Sequence, residues 1–221
     1  MGKKASGQGD DARHDVPTSR PIRADAQRNL DALLEAALAV FATSGVDAPV
    51  REIAVRAGVG VGTVYRHFPE RSDLIAAVFR REIDACANAA SILAAEHAPG
   101  EALARWMQRY AAFIATKRGL ATALHSGSPA FDSLPVYFQQ RLEPALRALL
   151  ESAAAAGEIR ADISAEELLG AVASLSYKHG PEHARRMVAL LADGLRYGAT
   201  PSGNTPSLPR RVRQRGKNTR P

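Results

Sequence analysis

Apolar side chains recur every three or four positions along most of this 221-residue chain, which is the spacing of amphipathic helices. The first stripe runs from about residue 24 to residue 44, where Gly45 can end the helix. Its apolar positions are Leu30, Leu33, Leu34, Ala37, Leu38 and Phe41. Pro49 suits the first turn of a second, short helix with an apolar face of its own.

Two longer helices with clear end signals are predicted further along the chain. The pattern of the first begins at Asp73, and that of the second runs from about Glu101 to Arg118. Lys117 and Arg118 fall in the last turn of the second helix and Gly119 follows it, which is a typical helix end. We therefore expect that helix to end at Gly119.

Three further helices are predicted in the C-terminal half. The first spans residues 134–156, where Pro144 is expected to produce a kink and Gly157 to end the helix. Ser164 and Glu167 form a capping box in front of the next.

The last helix is predicted to begin at Pro181. No segment shows the alternation of apolar and polar residues that is typical of a strand. The pattern therefore predicts an all-α fold of about nine helices.

The basic charge of the chain is concentrated at its C-terminal end. Six of the 29 Lys and Arg residues lie in residues 209–221, and the rest of the chain balances 23 basic against 23 acidic residues. The basic tail, residues 199–221, is either a solvated disordered end or a binder of polyanions. Residues 1–20, rich in Gly, Ser and Asp, also predict disorder.

Several function classes are disfavoured by composition. The single cysteine, Cys86, cannot form an intramolecular disulfide, which fits a reducing compartment. The N-terminus lacks the apolar stretch of a signal peptide, and no apolar run is long enough to span a bilayer. We therefore expect a cytoplasmic protein.

The segment RAGVGVGTVYRHF, residues 56–68, holds three glycines at alternate positions and has two interpretations. A phosphate-binding loop requires either a buried strand before the glycines or a Gly-Lys-Ser/Thr sequence after them. The preceding segment PVREIAVRA has helical spacing instead, and no such Gly-Lys sequence follows. The pattern therefore favours a helix-turn-helix that reads DNA.

Each position of this segment fits that motif. Ala54 is small enough for two helices to approach, Gly58 can turn the chain, and Val59 and Val64 can fill the core. The outward positions of the second helix are Val61, Gly62, Thr63, Arg66 and His67. Such a narrow face fits a major groove about 12 Å wide.

The stretch LLEAALAVFATSGVDAPVREIAVRAGVGVGTVYRHFPERSDLIAAVF resembles the N-terminal DNA-binding domain of TetR/AcrR-type bacterial transcriptional regulators. The resemblance implies a three-helix DNA-binding domain, residues 21–70, and a helical ligand-binding and dimerisation domain, residues 71–198. Two positions depart from the family pattern. Gly60 stands where Ser is common, which removes a helix cap, and Val61 stands where a basic residue is often found.

The resemblance also implies the DNA contacts. Matched positions assign base reading to Arg51, Val61, Gly62 and Thr63, and phosphate binding to Tyr65, His67 and Arg71. Other roles are open for the second group. Tyr65 could belong partly to the core, His67 could be a solvated surface residue, and Arg71 could pair with Glu70 or Asp73.

The C-terminal half contains no recognisable catalytic or metal-binding pattern, so we expect no enzyme, metal site or cofactor. It offers instead a set of aromatic, thioether and imidazole side chains that describes either a core or a small-molecule pocket. The set comprises Trp106, Met107, Tyr110, Phe113, His125, Tyr137 and Phe138.

The family resemblance further implies a homodimer that pairs the helices at about 164–178 and 182–198. The predicted interface residues are Val172, Leu175, Met187, Val188, Leu191 and Leu195. The function expected is that of a repressor, released from double-stranded operator DNA by a small-molecule effector. The alternative is a helical enzyme or carrier with a fortuitous helix-turn-helix resemblance.

Overall fold

The computed structural model describes residues 19–124, 127–177 and 180–197. All elements in these ranges are helices, which confirms the predicted fold class. Besides a 3₁₀ helix at Pro129–Phe131, they are α1 (Ser19–Ser44), α2 (Val50–Ala57), α3 (Val61–His67), α4 (Arg71–Glu96), α5 (Pro99–Leu124), α6 (Leu134–Ala155), α7 (Ala165–Tyr177) and α8 (Pro181–Arg196). The predicted disordered segment lies outside the described residues, except that Ser19 and Arg20 belong to α1, and the basic tail lies wholly outside them.

The first three helices share one core through residues that the apolar stripes predict. Ile53 and Ala54 of α2 and Val64 of α3 are buried with the apolar face of α1. Between α2 and α3 the chain turns at Gly58, whose φ of 68° lies in the left-handed region that glycine adopts easily. The amide of Val59 donates to the carbonyl of Ala54 at 3.0 Å, which closes the end of α2.

The fourth helix connects the N-terminal helices to the rest of the molecule. It begins at Arg71, two residues before the predicted start, and Glu70 and Asp73 form its capping box. It then packs against α1, α5 and α6. The buried residues from both halves of the described chain form one continuous hydrophobic core, so α4 packs against neighbours on both sides.

The prediction that a helix ends at Gly119 is wrong, because α5 continues to Leu124. A glycine ends a helix when it adopts a positive φ, whereas within a helix it only lowers stability, by about 1 kcal/mol. The residues after Gly119 are mostly Leu and Ala, which favour a further helical turn. The left-handed glycine that follows α5 is Gly127, with a φ of 77°.

Most of the remaining end signals are confirmed, although Pro49 is the N-cap of α2 rather than a residue of its first turn. Gly157, with a φ of 71°, follows the C-cap Ala156 of α6, and α6 continues through Pro144 as one helix. In the capping box of α7, the amide of Glu167 donates to Ser164 Oγ at 3.2 Å and the amide of Ser164 donates to the Glu167 carboxylate at 2.9 Å. Pro181 is the first residue of α8.

Candidate DNA interface and effector region

The third helix presents one side to the core and the other to solvent. Val64 is its buried residue, and the residues on the opposite side are exposed. Gly62 and Arg66 lie four positions apart, so both occupy the centre of the solvent side. The helix therefore stands on the molecular surface with a free face about two turns long.

The four positions matched to base reading are accessible to different degrees. Val61 is 37% exposed, Gly62 and Arg51 are exposed, and Thr63 is half-buried. Arg51 lies on the outer side of α2 and makes no hydrogen bond or ion pair with the described residues. All four therefore have an accessible surface, Arg51 at the start of α2 and the other three at the start of α3.

Two of the three phosphate-binding candidates are free surface residues. Tyr65 is 52% exposed, which leaves its hydroxyl available although the ring could have belonged to the core. His67 is also exposed, and its ring centroid lies 6.3 Å from that of Phe68 at an interplanar angle of 45°. Both side chains can reach an anion next to α3.

The structure gives Arg71 a role that the sequence did not suggest. Its Nη1 donates hydrogen bonds to the carbonyls of Val46 and Ala48, the latter at 2.8 Å. These bonds hold the start of α4 against the loop between α1 and α2, rather than pairing Arg71 with Glu70 or Asp73. Both bonds use Nη1, so they leave the other N–H groups of the guanidinium free for an anion.

Arg66, an outward position of the predicted second helix, is absent from the contacts that the family resemblance implies. It is exposed on the same face as Gly62 and makes no hydrogen bond or ion pair with the described residues. Helical spacing places it on the outward face in the sequence as well, and its charge there is the signal for a DNA contact.

The aromatic set of the C-terminal half is largely a packed stack. Trp106, Met107, Tyr110 and Phe113 are all buried on one side of α5. The Trp106 and Tyr110 rings lie 5.5 Å apart at an interplanar angle of 15°. Trp106 Nε1 donates to the carbonyl of Cys86 on α4 at 2.9 Å, so this stack also joins α5 to α4.

Phe138 extends the stack onto α6. It is half-buried, and its ring centroid lies 6.1 Å from Tyr110 and 6.2 Å from Phe113. His125 lies outside the described residues. The structure therefore brings five of the seven predicted effector residues into one region between α5 and α6.

The Tyr110 hydroxyl is buried and has no hydrogen-bond partner among the described residues. The side chain is 1% exposed and makes no hydrogen bond with them. Burial, with a smaller contribution from Cys86, raises the pKa of Tyr110 above its usual value. Burial also raises the pKa of the Cys86 thiol to about 12, so both groups are neutral at pH 7 in an apolar environment.

Tyr137 takes part in a hydrogen-bonded cluster rather than in the ring contacts of the aromatic stack. Its hydroxyl donates to Asp84 Oδ2 at 2.7 Å, and Arg141 Nε donates to Asp84 Oδ1 at 2.6 Å. Arg141 also donates to Asn88 Oδ1 at 3.2 Å. These four side chains join α6 to the middle of α4, and we call them the α4–α6 latch.

Half of the predicted dimer interface faces inward. Val172, Val188 and Leu195 are buried in the core of a single chain, so their assignment to a dimer interface is corrected. On α8 the apolar stripe that includes Val188 and Leu195 covers the chain's own core, and Val172 does the same on α7. Leu190, which was not predicted, is 65% exposed.

A second side of α8 remains accessible. Met187 and Leu191 are half-buried and lie beside Leu190, while Leu175 of α7 is also half-buried. Gly194, one turn beyond Leu190, is exposed. This outer face of α8, formed by Met187, Leu190, Leu191 and Gly194, presents apolar surface that the exposed Arg186 and Asp193 border.

The described part of the chain contains neither a candidate metal site nor a candidate membrane-spanning helix. Its residues contain no group of three or more His, Cys, Asp or Glu side chains placed to hold a metal ion. None of its helices is both long and apolar enough to cross a bilayer.

Both halves of the chain match models of known protein families. Residues 33–78 match the family model of bacterial regulatory proteins of the tetR family, and residues 98–197 match that of the C-terminal domain of SbtR-like transcriptional regulators. An HTH-type transcriptional regulator of Staphylococcus aureus is 39% identical over 64 residues, which cover 28% of this chain and 35% of that regulator. The chain thus spans about a third of the length of the curated relatives it matches.

Solved structures match over most of the chain. A TetR transcriptional regulator from Streptomyces coelicolor is 38% identical with a TM-score of 0.65, and the match covers 78% of this chain and 98% of that one. A TetR transcription regulatory protein from Mycobacterium vanbaalenii is 37% identical with a TM-score of 0.63, over 80% and 99% of the two chains. The chain belongs to the TetR family of bacterial transcriptional regulators, whose members are DNA-binding regulators rather than enzymes.

Proposed function

We propose that this chain is a cytoplasmic, homodimeric repressor that a small molecule releases from operator DNA. Residues 21–70 form its DNA-binding domain and residues 71–198 its effector-binding and dimerisation domain. The observation that carries the proposal is the free face of α3, which a single buried residue, Val64, fixes to the core. A helix held in this way can enter a major groove without losing its own packing.

The residues around α3 form two groups, one that contacts bases and one that binds phosphates. Arg51, Val61, Gly62 and Thr63 lie at the leading edge and contact base edges. The donor groups of Tyr65, His67 and Arg71 lie where they bind phosphate oxygens and so set the register of the protein on DNA. Arg71 does this through the N–H groups that its bonds to Val46 and Ala48 leave free.

The effector binds beside the aromatic stack of α5 and α6. An unpaired buried hydroxyl lowers stability by about 1–3 kcal/mol, so the Tyr110 hydroxyl points to a function other than packing. Phe113 and Phe138 supply apolar walls next to it, and Met107, Trp106, His125 and Tyr137 complete the proposed set. The effector is therefore a mainly apolar molecule with a polar group that pairs with Tyr110.

Dimerisation uses the outer face of α8 rather than its buried stripe. Met187, Leu190 and Leu191 supply the apolar surface, Gly194 allows close approach of a second helix, and Leu175 adds to it from α7. Two-fold pairing of α7 and α8 gives a four-helix interface in which each patch meets its own copy. The pairing also sets the distance between the two α3 helices.

The fourth helix carries the effector signal to DNA. Near the DNA-binding domain it is held by Arg71 and by Arg81, whose Nη1 donates to the carbonyl of Asp31 on α1 at 2.7 Å. Near the effector region it is held by Trp106 and by Asp84 of the α4–α6 latch. A ligand that displaces α5 or α6 therefore shifts α4 and changes the separation of the α3 helices.

In vitro transcription tests the sign of regulation. The template carries the DNA upstream of the chain's own gene, and purified protein is added at increasing concentration. The proposal predicts that transcription falls, and that it recovers when a compound that raises the unfolding temperature of the protein is added. Transcription that rises with protein concentration would contradict the repressor assignment.

A further inference from the structure

Gly62 is not required by the fold of the free protein. It lies within α3 with ordinary helical backbone, and a Cβ built on it meets no atom within 4 Å. Glycine is less favourable than alanine inside a helix, so neither packing nor backbone conformation explains it. The remaining reason for glycine is close approach of a second molecule, and Gly62 lies at the centre of the free face.

Arg66 follows Gly62 by four residues and therefore lies directly beside it on that face. It is the one arginine of α3, it is exposed, and no hydrogen bond or ion pair joins it to the described residues. Arg71 differs, since its guanidinium already bonds two backbone carbonyls. Arg66 thus presents its whole guanidinium fork, whose geometry matches the O6 and N7 acceptors of guanine.

We propose that Gly62 is the point of closest approach between α3 and DNA, and that Arg66 reads one guanine in each operator half-site. This inference rests on the proposed function. The missing side chain at Gly62 lets the helix sink until Arg66 reaches the base edge. A methyl group there holds the helix away from the bases and withdraws the guanidinium from guanine.

The first experiment uses the full chain to select duplexes from a random-sequence library, followed by binding measurements on one selected and one random duplex. Arg66→Ala is expected to weaken binding to the selected duplex about 5- to 150-fold, with a much smaller loss on the random duplex. Arg66→Lys is expected to lose a similar factor, because an ammonium group lacks the planar fork. Arg105→Ala is the control, since Arg105 lies on α5 and pairs with Glu101 at 2.7 Å.

A modified base tests the contact from the DNA side. Replacing the read guanine by 7-deazaguanine removes the N7 acceptor, so wild-type affinity falls whereas the affinity of Arg66→Ala changes little. Equal losses in the two proteins would overturn the guanine contact. So would an Arg66→Ala variant that weakens both duplexes equally, because that behaviour identifies a phosphate contact.

The Gly62→Ala variant separates binding from stability. Its midpoint of thermal unfolding is expected to rise by about 2–4 °C, while its affinity for the selected duplex falls about tenfold or more. Wild-type affinity in this variant would overturn the role of Gly62. If the wild-type chain selects no duplex at all, the proposed function itself fails, which differs from every outcome above.

Discussion

The hydroxyl of Tyr137 on α6 donates to Asp84 Oδ2 on α4 at 2.7 Å. Arg141 donates to the other oxygen of the same carboxylate, so one side chain of α4 receives two from α6. Burial, followed by the hydrogen bond to Asp84, raises the pKa of Tyr137. The bond therefore joins α6 to α4, the helix that also packs against α1.

Breaking this bond is expected to lower stability by a limited amount. Tyr137→Phe removes one hydrogen bond while Asp84 keeps Arg141, so we expect a loss of about 0.5–1.5 kcal/mol in the free energy of unfolding. Asp84→Ala removes the acceptor of both partners and is expected to lose more. Urea unfolding at pH 7 measures both, and equal losses for the two variants would contradict the arrangement.

Tyr110→Phe removes the buried hydroxyl that lacks a partner among the described residues. At pH 7 the free energy of unfolding is expected to rise by about 1–3 kcal/mol, because the cost of burying an unpaired hydroxyl is removed and no hydrogen bond is lost. A fall of more than about 1 kcal/mol at pH 7 would show that the hydroxyl is bonded.

The same variant has an expected pH dependence. The raised pKa of Tyr110 means that the folded state favours the neutral phenol more than the unfolded state does. The resulting contribution to the free energy of unfolding is fully present below pH 10.0, the ordinary pKa, and is lost as the pH rises above that value. Wild-type protein should therefore lose stability above pH 10 more steeply than Tyr110→Phe. Urea unfolding at pH 9 and pH 11 checks this, and parallel losses would contradict it.

Thr63→Ala and Arg71→Ala are expected to impair DNA binding differently. Loss of a base contact at Thr63 should weaken operator binding by about 1–3 kcal/mol and leave random DNA nearly unaffected. Loss of a phosphate contact at Arg71 should weaken both and reduce the salt slope by about one per half-site. Fluorescence anisotropy at several salt concentrations measures this.

Arg71→Ala needs a stability control, because its bonds to Val46 and Ala48 are also lost. Binding is therefore compared at a temperature where circular dichroism finds both variants folded. An unchanged salt slope in folded Arg71→Ala would assign Arg71 to structure alone.

The outer face of α8 can be tested by adding a charge. Leu190→Glu is expected to convert the dimer to a monomer of about 23.5 kDa, because Leu190 is 65% exposed in one chain and lies in the proposed interface. Val136→Glu is the matched control, since Val136 is 57% exposed on α6, outside that interface. Light scattering at micromolar concentration measures the mass, and a Leu190→Glu dimer would contradict the assigned face.

The sequence predicts the helices well where one local signal decides the structure. Ser164 with Glu167 and the positive φ of Gly157 act within a few residues, and both are found as expected. The burial of Val64 also follows from local sequence, because helical spacing alone places it on the inner side of α3. These signals need no knowledge of the rest of the molecule.

Other features depend on contacts between distant parts of the chain. Arg71 bonds carbonyls 23 and 25 positions earlier, and no pattern around it shows that. Val188 and Leu190 are both apolar residues of α8, but only packing decides that the first is buried and the second exposed. Gly119 carries a helix-end signal, yet the helix continues because the following residues still favour it.

Binding of the full chain to the DNA upstream of its own gene tests the central claim most directly. Anisotropy is measured with that duplex and with a random duplex of equal length, at about 50 mM and 200 mM salt. The account predicts binding at least 10³-fold tighter to the upstream duplex, falling steeply with salt. Equal affinity for the two duplexes, or binding that salt does not weaken, would contradict it.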